Sequence, residues 1–556
     1  MEMCRDFFER GNLQTASALW NEPPLDATVS PMELHGKQII GGSAEGSSTS
    51  TFQASNPATG EKLSPAIHEA TSAEVDRACR VAEGAFAVVR RKSPVERAKL
   101  LRAIADELMN LGDALVLRAM AESGLPRPRI EMERGRTCYQ LKLFADVVEE
   151  GSWIDARIDR AMPERQPMPK PDCRMMLVPI GPVAVFGASN FPLAFSVGGG
   201  DSASALAAGC PVVCKGHPAH PGTSEMVART AQKAVEACGF PAGTFSLIQG
   251  AGIDVGVALV RHPSIKAVGF TGSLRGGRAL FDEAARRPEP IPVYAEMGST
   301  NPVFVLPGAL KERGEKIAEG LAGSVTMGVG QFCTKPGMVF LPEGSKAFVD
   351  KAAALLEAAA PGVMLHEGIR TNFEKGATRL GAVSGVETRV KGGRPDGAGC
   401  GQRARMFVTS AENLSKHPEI AEEVFGPSTV AVTTKSREEV LAAARSLHGH
   451  LTATIHGTPG DLLEWSELVE ILQTKVGRII FNGWPTGVEV THAMVHGGPY
   501  PATTDSRVTS VGTAAIGRWA RPVCWQGFPG ESLPEELRDG NPSGIWRRVE
   551  GKLTKD

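Results

Sequence analysis

Val183-Ala184-Val185-Phe186-Gly187-Ala188-Ser189-Asn190-Phe191-Pro192 is the stretch whose reading decides the fold. Four apolar residues run without alternation and stop at a glycine, as in a short strand buried on both faces. Residues 212–214, 245–248 and 265–270 repeat the pattern, bounded by Gly or Pro. Between them, residues 223–238 read as a helix that stops at Gly239-Phe240-Pro241. Strands apolar on both faces that alternate with helices predict a parallel sheet covered by helices. A second set of apolar runs (303–306, 339–341, 429–432, 452–455 and 479–481) follows Glu296 and predicts a second α/β domain.

Towards the N-terminus, two helix starts carry a mechanism. Thr71-x-x-Glu74 has capping-box spacing, and Ser93-Pro94-Val95-Glu96 adds a proline at the first helical position. Leu100, Leu101, Ile104 and Leu108 then recur at helical spacing. Residues 42–50 read as a flexible surface turn, and Cys210-x-x-x-Cys214 as part of a buried strand. Residues 1–31 lack periodicity and read as an appendage or an ordinary N-terminal arm.

The chain has 556 residues, room for two to four domains at roughly 150 residues each. Lys+Arg 60 against Asp+Glu 62 leaves no basic field for nucleic acid or anionic lipid. No stretch approaches ~18 uninterrupted apolar residues, so no membrane span is expected. The first residues also lack the apolar core of a secretory signal. The ten cysteines show no Cys-x-x-Cys and no paired Cys/His spacing, which excludes a structural zinc and predicts no metal. A chain this long can bury its own core without disulfides, so reduced thiols and the cytoplasm are expected.

Three segments differ from ordinary core: Gly187-Ala188-Ser189-Asn190, Tyr294-Ala295-Glu296-Met297-Gly298-Ser299-Thr300-Asn301-Pro302 and Gly330-Gln331-Phe332-Cys333-Thr334. Each places a polar or nucleophilic side chain in a bend where glycine permits close backbone approach. Singly they are weak, because a lone Cys is more often a buried small hydrophobe and a lone Asn more often a turn cap.

Together and in this order, the segments resemble the NAD(P)+-dependent aldehyde dehydrogenase superfamily, over about residues 32–529. Further matches are Val212-Val213-Cys214-Lys215, Gly269-Phe270-Thr271-Gly272-Ser273 with Gly277, Glu422-Glu423-Val424-Phe425-Gly426-Pro427, and Phe481-Asn482. The resemblance implies a doubly wound cofactor-binding domain (32–152 and 178–297) and an α/β catalytic domain (298–507). It also implies a small β oligomerisation extension (153–177 and 508–528), with 529–556 left as a C-terminal tail. It implies Cys333 as nucleophile, Asn190 with the Cys333 backbone N–H as oxyanion donors, and Glu296 as general base. Lys215, Gly272, Ser273, Gly277, Glu423 and Phe425 are implied as cofactor-binding, although Gly272 and Gly277 do not form a Gly-x-Gly-x-x-Gly fingerprint. A homo-oligomer, dimer or tetramer, is implied as well.

Departures narrow the branch. Ser189 stands where many relatives carry Trp, and Glu296-Met297-Gly298-Ser299-Thr300 replaces the usual Glu-Leu-Gly-Gly-Lys. Pro218 stands where NAD-preferring relatives carry a glutamate, so NADP is expected to be tolerated or preferred over NAD. Together with Val495-His496-Gly497-Gly498-Pro499, these resemble the branch that oxidises 2-oxoglutarate semialdehyde (2,5-dioxopentanoate). Alternatives are a fatty aldehyde or another semialdehyde as substrate, and a non-catalytic protein that keeps the fold. For the substrate's distal carboxylate the sequence offers only Arg174 and Arg507, either of which a surface role would explain.

Overall fold

The computed structural model describes residues 32–395, 397 and 399–556; the N-terminal appendage read over 1–31 lies outside them. Both predicted helix starts carry complete capping boxes. Thr71 caps Ser72–Val89 with Glu74 reciprocating, and Ser93 caps Pro94–Asn110 with Glu96 reciprocating. The helices Gly112–Ser123 and Arg127–Glu150 both end at glycines in the left-handed region, Gly124 at φ 67° and Gly151 at φ 81°.

Three larger sheets, besides two two-stranded ones, organise the described residues. The first has seven strands in the order Val293–Glu296, Ala267–Thr271, Val183–Phe186, Val212–Lys215, Phe245–Ile248, Gln38–Ile40 and Ser43–Glu45. Its first five strands are parallel, and the last two are antiparallel additions at one edge. The stretch read as a flexible turn at 42–50 therefore supplies the edge strand Ser43–Glu45. Cys210 lies just ahead of its strand, and Cys214 is buried within it. The chain winds from Val183–Phe186 outward to Phe245–Ile248, then returns to the other side at Ala267–Thr271. Strand order reverses there, and in open α/β sheets the crevice beyond the carboxyl ends at such a point takes the ligand.

The second sheet runs Glu387–Val390, Arg405–Ser410, Ser428–Thr434, Met338–Pro342, Val303–Val305, His450–His456 and Val476–Phe481. All its pairings are parallel except that of Glu387–Val390. Separate apolar clusters cover its two faces. One is built on Phe304, Phe340 and Phe407, the other on Val303, Val339 and Leu341.

The third sheet joins Ala520–Gln526, Cys173–Pro179, Arg157–Asp159, Arg547–Val549 and Lys552–Thr554. Residues 529–556, read from sequence as a tail, thus furnish two of its five strands. Ile154, Ile158, Leu533, Leu537 and Ile545 form its own small core. Arg547 is buried there and donates to the carbonyls of Glu536, Arg538 and Asp556.

Candidate active site

The polar segments singled out from sequence leave the sheets at two edges. Asn190, Lys215, Gly272, Ser273 and Glu296 lie at or just beyond carboxyl ends of the first sheet's parallel strands. Asn301, Cys333, Glu423 and Phe425 lie just ahead of strands of the second sheet, at its amino edge. The structure brings Cys333 and Glu296 together and adds a third group, His496. The ligating atoms of these three side chains all lie within 4.8 Å of one another.

Cys333 sits on the loop between the helix Pro307–Thr326 and the strand Met338–Pro342. The loop is strained. Val329, a β-branched residue, is held at φ 58°. Gly330 follows at φ 64°, where a Cβ would run into the carbonyl of Gly426. Glycine there lets the Cys333 loop close onto the Glu423–Phe425 segment. Asn301, fully buried, donates through Nδ2 to the carbonyls of Cys333 at 2.8 Å and Lys335 at 3.0 Å, fixing the loop's far side.

Glu296 ends its strand and is nearly inaccessible. His496 Nε2 donates to its Oε1 at 2.8 Å, and Ser510 Oγ donates to its Oε2 at 2.9 Å. Burial alone would raise the carboxyl's pKa, but His496, Cys333 and Ser510 outweigh it and hold Glu296 below the usual range. His496 Nε2 also lies 3.4 Å from Cys333 Sγ. The same burial, with the charges of Glu296 and Glu423, pushes the Cys333 thiol well above the ordinary cysteine range. The free protein therefore holds a neutral thiol beside a carboxylate, an acceptor ready for its proton.

Asn190 is buried, and its Nδ2 donates to the carbonyl of Gln331 at 3.1 Å, two residues before the thiol. Its own carbonyl accepts from Arg129 at 3.2 Å. The amide thus stands over the Cys333 loop with one N–H committed and one remaining.

Of the residues read as cofactor-binding, Gly272 and Ser273 follow the strand at the order reversal, Lys215 ends the strand Val212–Lys215, and Glu423 and Phe425 precede a strand of the second sheet. Gly272 and Ser273 are exposed, and Ser273 caps the helix Leu274–Ala285 through the N–H of Gly276. A Cβ on Gly277 would come within 2.7 Å of Met297, so this glycine seats the helix on the strand that carries Glu296. An open turn at a helix N-terminus fits a pyrophosphate. Lys215 ends its strand with Nζ donating to the carbonyl of Gly250 at 2.6 Å, and burial brings its pKa down to about 8. Glu423 is pushed up to about 7 by burial, against the pull of Lys335, itself brought down to about 8. Gly298 leaves the space its carboxylate occupies. Phe425 is half-buried beside it. These side chains fit a dinucleotide.

Other polar residues near these segments are structural. His220 is buried, with Nε2 against the carbonyl of Ala188 at 2.8 Å. Its neighbour His217 stacks on it at 5.4 Å and is held neutral by burial. Arg174 belongs to the third sheet, paired with Asp172 and Asp539, and Arg507 pairs with Asp505 at the surface. Neither reaches Cys333 among the interactions described. Asn482 ends its strand at the opposite edge of the second sheet and bonds both backbone groups of Gly457. His496, Ser510, Asn301 and Lys335 lay in quoted or neighbouring segments without a role. Their partners are too distant along the chain for spacing to reveal.

Comparison with known proteins follows this geometry. The model of the aldehyde dehydrogenase family matches residues 44–504. The chain is 48% identical over 524 residues to an alpha-ketoglutaric semialdehyde dehydrogenase 2 of Azospirillum brasilense, covering 94% of this chain and 100% of that one. It is 45% identical to an alpha-ketoglutaric semialdehyde dehydrogenase of Acinetobacter baylyi, with the same coverage. Among solved structures, an aldehyde dehydrogenase of Bacillus cereus in complex with NAD+ superposes with a TM-score of 0.76 at 22% identity, over 88% of this chain and 96% of that one. The aldehyde dehydrogenase KauB of Pseudomonas aeruginosa gives 0.77 at 21%, over 89% and 97%. The chain belongs to the aldehyde dehydrogenase family.

Proposed function

We propose that this enzyme oxidises 2-oxoglutarate semialdehyde to 2-oxoglutarate, consuming water and reducing NAD(P)+. The carrying observation is the Cys333 thiol held within reach of the Glu296 carboxylate and His496, under the Asn190 amide. Glu296, which the thiol reaches directly and which His496 orients through Nε2–H, takes the thiol proton as sulfur adds to the aldehyde carbon. The new alkoxide is met by the free Asn190 N–H and the Cys333 backbone N–H. Lys215, Gly272, Ser273, Gly277, Glu423 and Phe425 would hold the nicotinamide cofactor, which would supply the acceptor for the hydride of the tetrahedral carbon. Once Glu296 has lost the thiol's proton to solvent, it removes a proton from the water that cleaves the Cys333 thioester and returns it to the departing sulfur, releasing the acid and restoring the thiol. The two relatives' names, at 48% and 45% identity over nearly the whole chain, support the substrate.

The subunit reading is a homo-oligomer, supported by the open edge of Ala520–Gln526 in the third sheet. The cytoplasmic reading is supported by the described cysteines, all of which are free. No described helix is long and apolar enough to cross a membrane. Following reduced-cofactor absorbance on 2,5-dioxopentanoate, succinate semialdehyde, hexanal and decanal tests the function. The five-carbon oxo acid should give the largest kcat/KM. A preference for decanal would replace the substrate reading, and no turnover on any aldehyde would remove the enzymatic one.

A further inference from the structure

None of the side chains assigned above can hold the far end of an anionic substrate. Asn190 faces the developing oxyanion, and Glu296 and Glu423 would repel a carboxylate. Three arginines close to Cys333 have no place in that chemistry. Arg129 and Arg136 lie seven residues apart on the helix Arg127–Glu150, so they share one face. Arg478 comes from the strand Val476–Phe481 of the second sheet.

A layer of aromatic rings connects the helix pair to the thiol. The Arg129 guanidinium lies 4.4 Å from the ring centre of Phe191 and 4.7 Å from that of Phe332, the residue before Cys333. Arg136 lies 5.1 Å from the ring centre of Phe195, which in turn stands 6.1 Å from the His496 ring. Arg136 and Arg478 converge on one loop. Arg136 donates to the carbonyl of Val488, and Arg478 to those of Pro485 and Gly487. An ionised Cys333 would raise the pKa of both guanidinium groups, so both lie within Coulombic reach of its sulfur.

Their charges are not balanced locally. Glu133 is committed to the backbone N–H groups of Leu193 and Ala194 at 2.8 and 2.9 Å, and stands 3.5 Å from Arg129. Glu489 is exposed. Among the described residues, no ion pair joins Arg136 or Arg478 to a carboxylate. Arg136 Nη1 and Arg478 Nε are buried without any hydrogen-bond partner. Burial disfavours both charged forms. Two desolvated guanidinium groups with unused donors in a catalytic wall call for an anion. Arg129 is a weaker candidate, because it is sandwiched between two rings and spends a donor on the Asn190 carbonyl.

We infer that Arg136 and Arg478 form an anion subsite that takes the carboxylate of a short aldehyde acid while its aldehyde carbon lies on Cys333. In a five-carbon chain four C–C bonds of about 1.5 Å separate the two ends. A substrate of that length spans little more than one layer of side chains, and a single ring, Phe195, lies between the Arg136 guanidinium and the His496 ring beside the thiol. The inference rests on the reading of Cys333 as nucleophile and names the substrate class that reading leaves open.

The test compares 2,5-dioxopentanoate with pentanal, a chain of equal length without the carboxylate. In Arg136→Met and Arg478→Met the ratio of their kcat/KM values should fall by about tenfold or more, mainly through KM for the acid. Arg136→Lys and Arg478→Lys, which keep the charge, should recover part of that ratio. In the wild-type protein, glutarate should slow alkylation of Cys333 by iodoacetamide, and this protection should weaken in the Met variants. An unchanged ratio, or wild-type protein that glutarate does not protect, overturns the subsite even if a variant fails to fold. Absence of turnover on both aldehydes by the wild type would instead overturn the reading of Cys333, and glutarate protection would still report on the arginines.

Discussion

Cys333 and Glu296 face each other in opposite electrostatic positions. Burial and two carboxylates hold the thiol protonated, while His496, Cys333 and Ser510 keep Glu296 ionised. Because the folded thiol's pKa is raised, the reactive thiolate is scarce at neutral pH and accumulates only as pH rises beyond the ordinary thiol range. Alkylation of the cofactor-free protein by iodoacetamide should therefore accelerate with pH without levelling near the usual cysteine value. Glu296→Gln removes one of the charges that raise the thiol, so its alkylation profile should move to lower pH. In turnover the same variant should give a single burst of reduced cofactor and then a slow steady state, because thioester hydrolysis has lost its base. A profile unmoved by the change would show that Glu296 does not face the thiol in solution. Pro218 can neither accept from ribose hydroxyls nor repel a 2′-phosphate, and Lys215 is the cation beside it. NADP+ should be used with kcat/KM at least comparable to NAD+, and Pro218→Glu should shift the ratio toward NAD+. A preference for NAD+ above roughly tenfold, ~1.4 kcal/mol, would contradict this.

The elements that place these residues are held by a few special backbone positions. Gly330 is one: its φ of 64° and its approach to Gly426 leave no room for a side chain. Gly330→Ala should displace the Cys333 loop from the Glu423 segment, lowering kcat and stability together by about 1–3 kcal/mol of unfolding free energy. Melting curves beside steady-state kinetics check it, and an active variant with an unchanged Tm would mean that the loop tolerates the Cβ. Sequence reading found most strands of the two parallel sheets because residues buried on two faces form unbroken apolar runs, but it missed Val293–Glu296 and Arg405–Ser410, whose runs are broken by polar residues. The helices at Thr71 and Ser93 were legible because capping is local in sequence. His496 was not legible as part of the site. It lies in a glycine-rich stretch with no local partner, and it meets Glu296 and Cys333 across separations of 200 and 163 residues. Arg136 was hidden likewise, since a helical arginine normally reads as a solvated charge.

At the scale of the whole molecule, the carboxyl edge of one parallel sheet and the amino edge of another supply the two halves of the site. Chemistry is confined to the loops between them, and the strands behind are rigid apolar supports. The third sheet stands apart from this arrangement, and the last residues of the chain are built into it. Residues 529–556 escaped the sequence reading because their strands, Arg547–Val549 and Lys552–Thr554, are short and charged. What fixes them is Arg547, buried and satisfied by three backbone carbonyls, together with Leu533, Leu537 and Ile545 packed on Ile154 and Ile158. Deleting 529–556 would strip one of the two pairing partners from Arg157–Asp159 and expose that apolar cluster. An unpaired strand edge beside exposed apolar surface promotes association with other chains. The truncated protein should therefore form heterogeneous aggregates by light scattering under conditions in which the full chain does not. Arg547→Met, which keeps bulk but loses the carbonyl bonds, should destabilise the same region by about 2–4 kcal/mol. Hydrogen exchange separates this from global unfolding: protection should fall first at residues 157–159 and 547–554, with the strands around Cys333 unaffected. Uniform loss of protection throughout the chain would show that the third sheet is not an independent unit of stability.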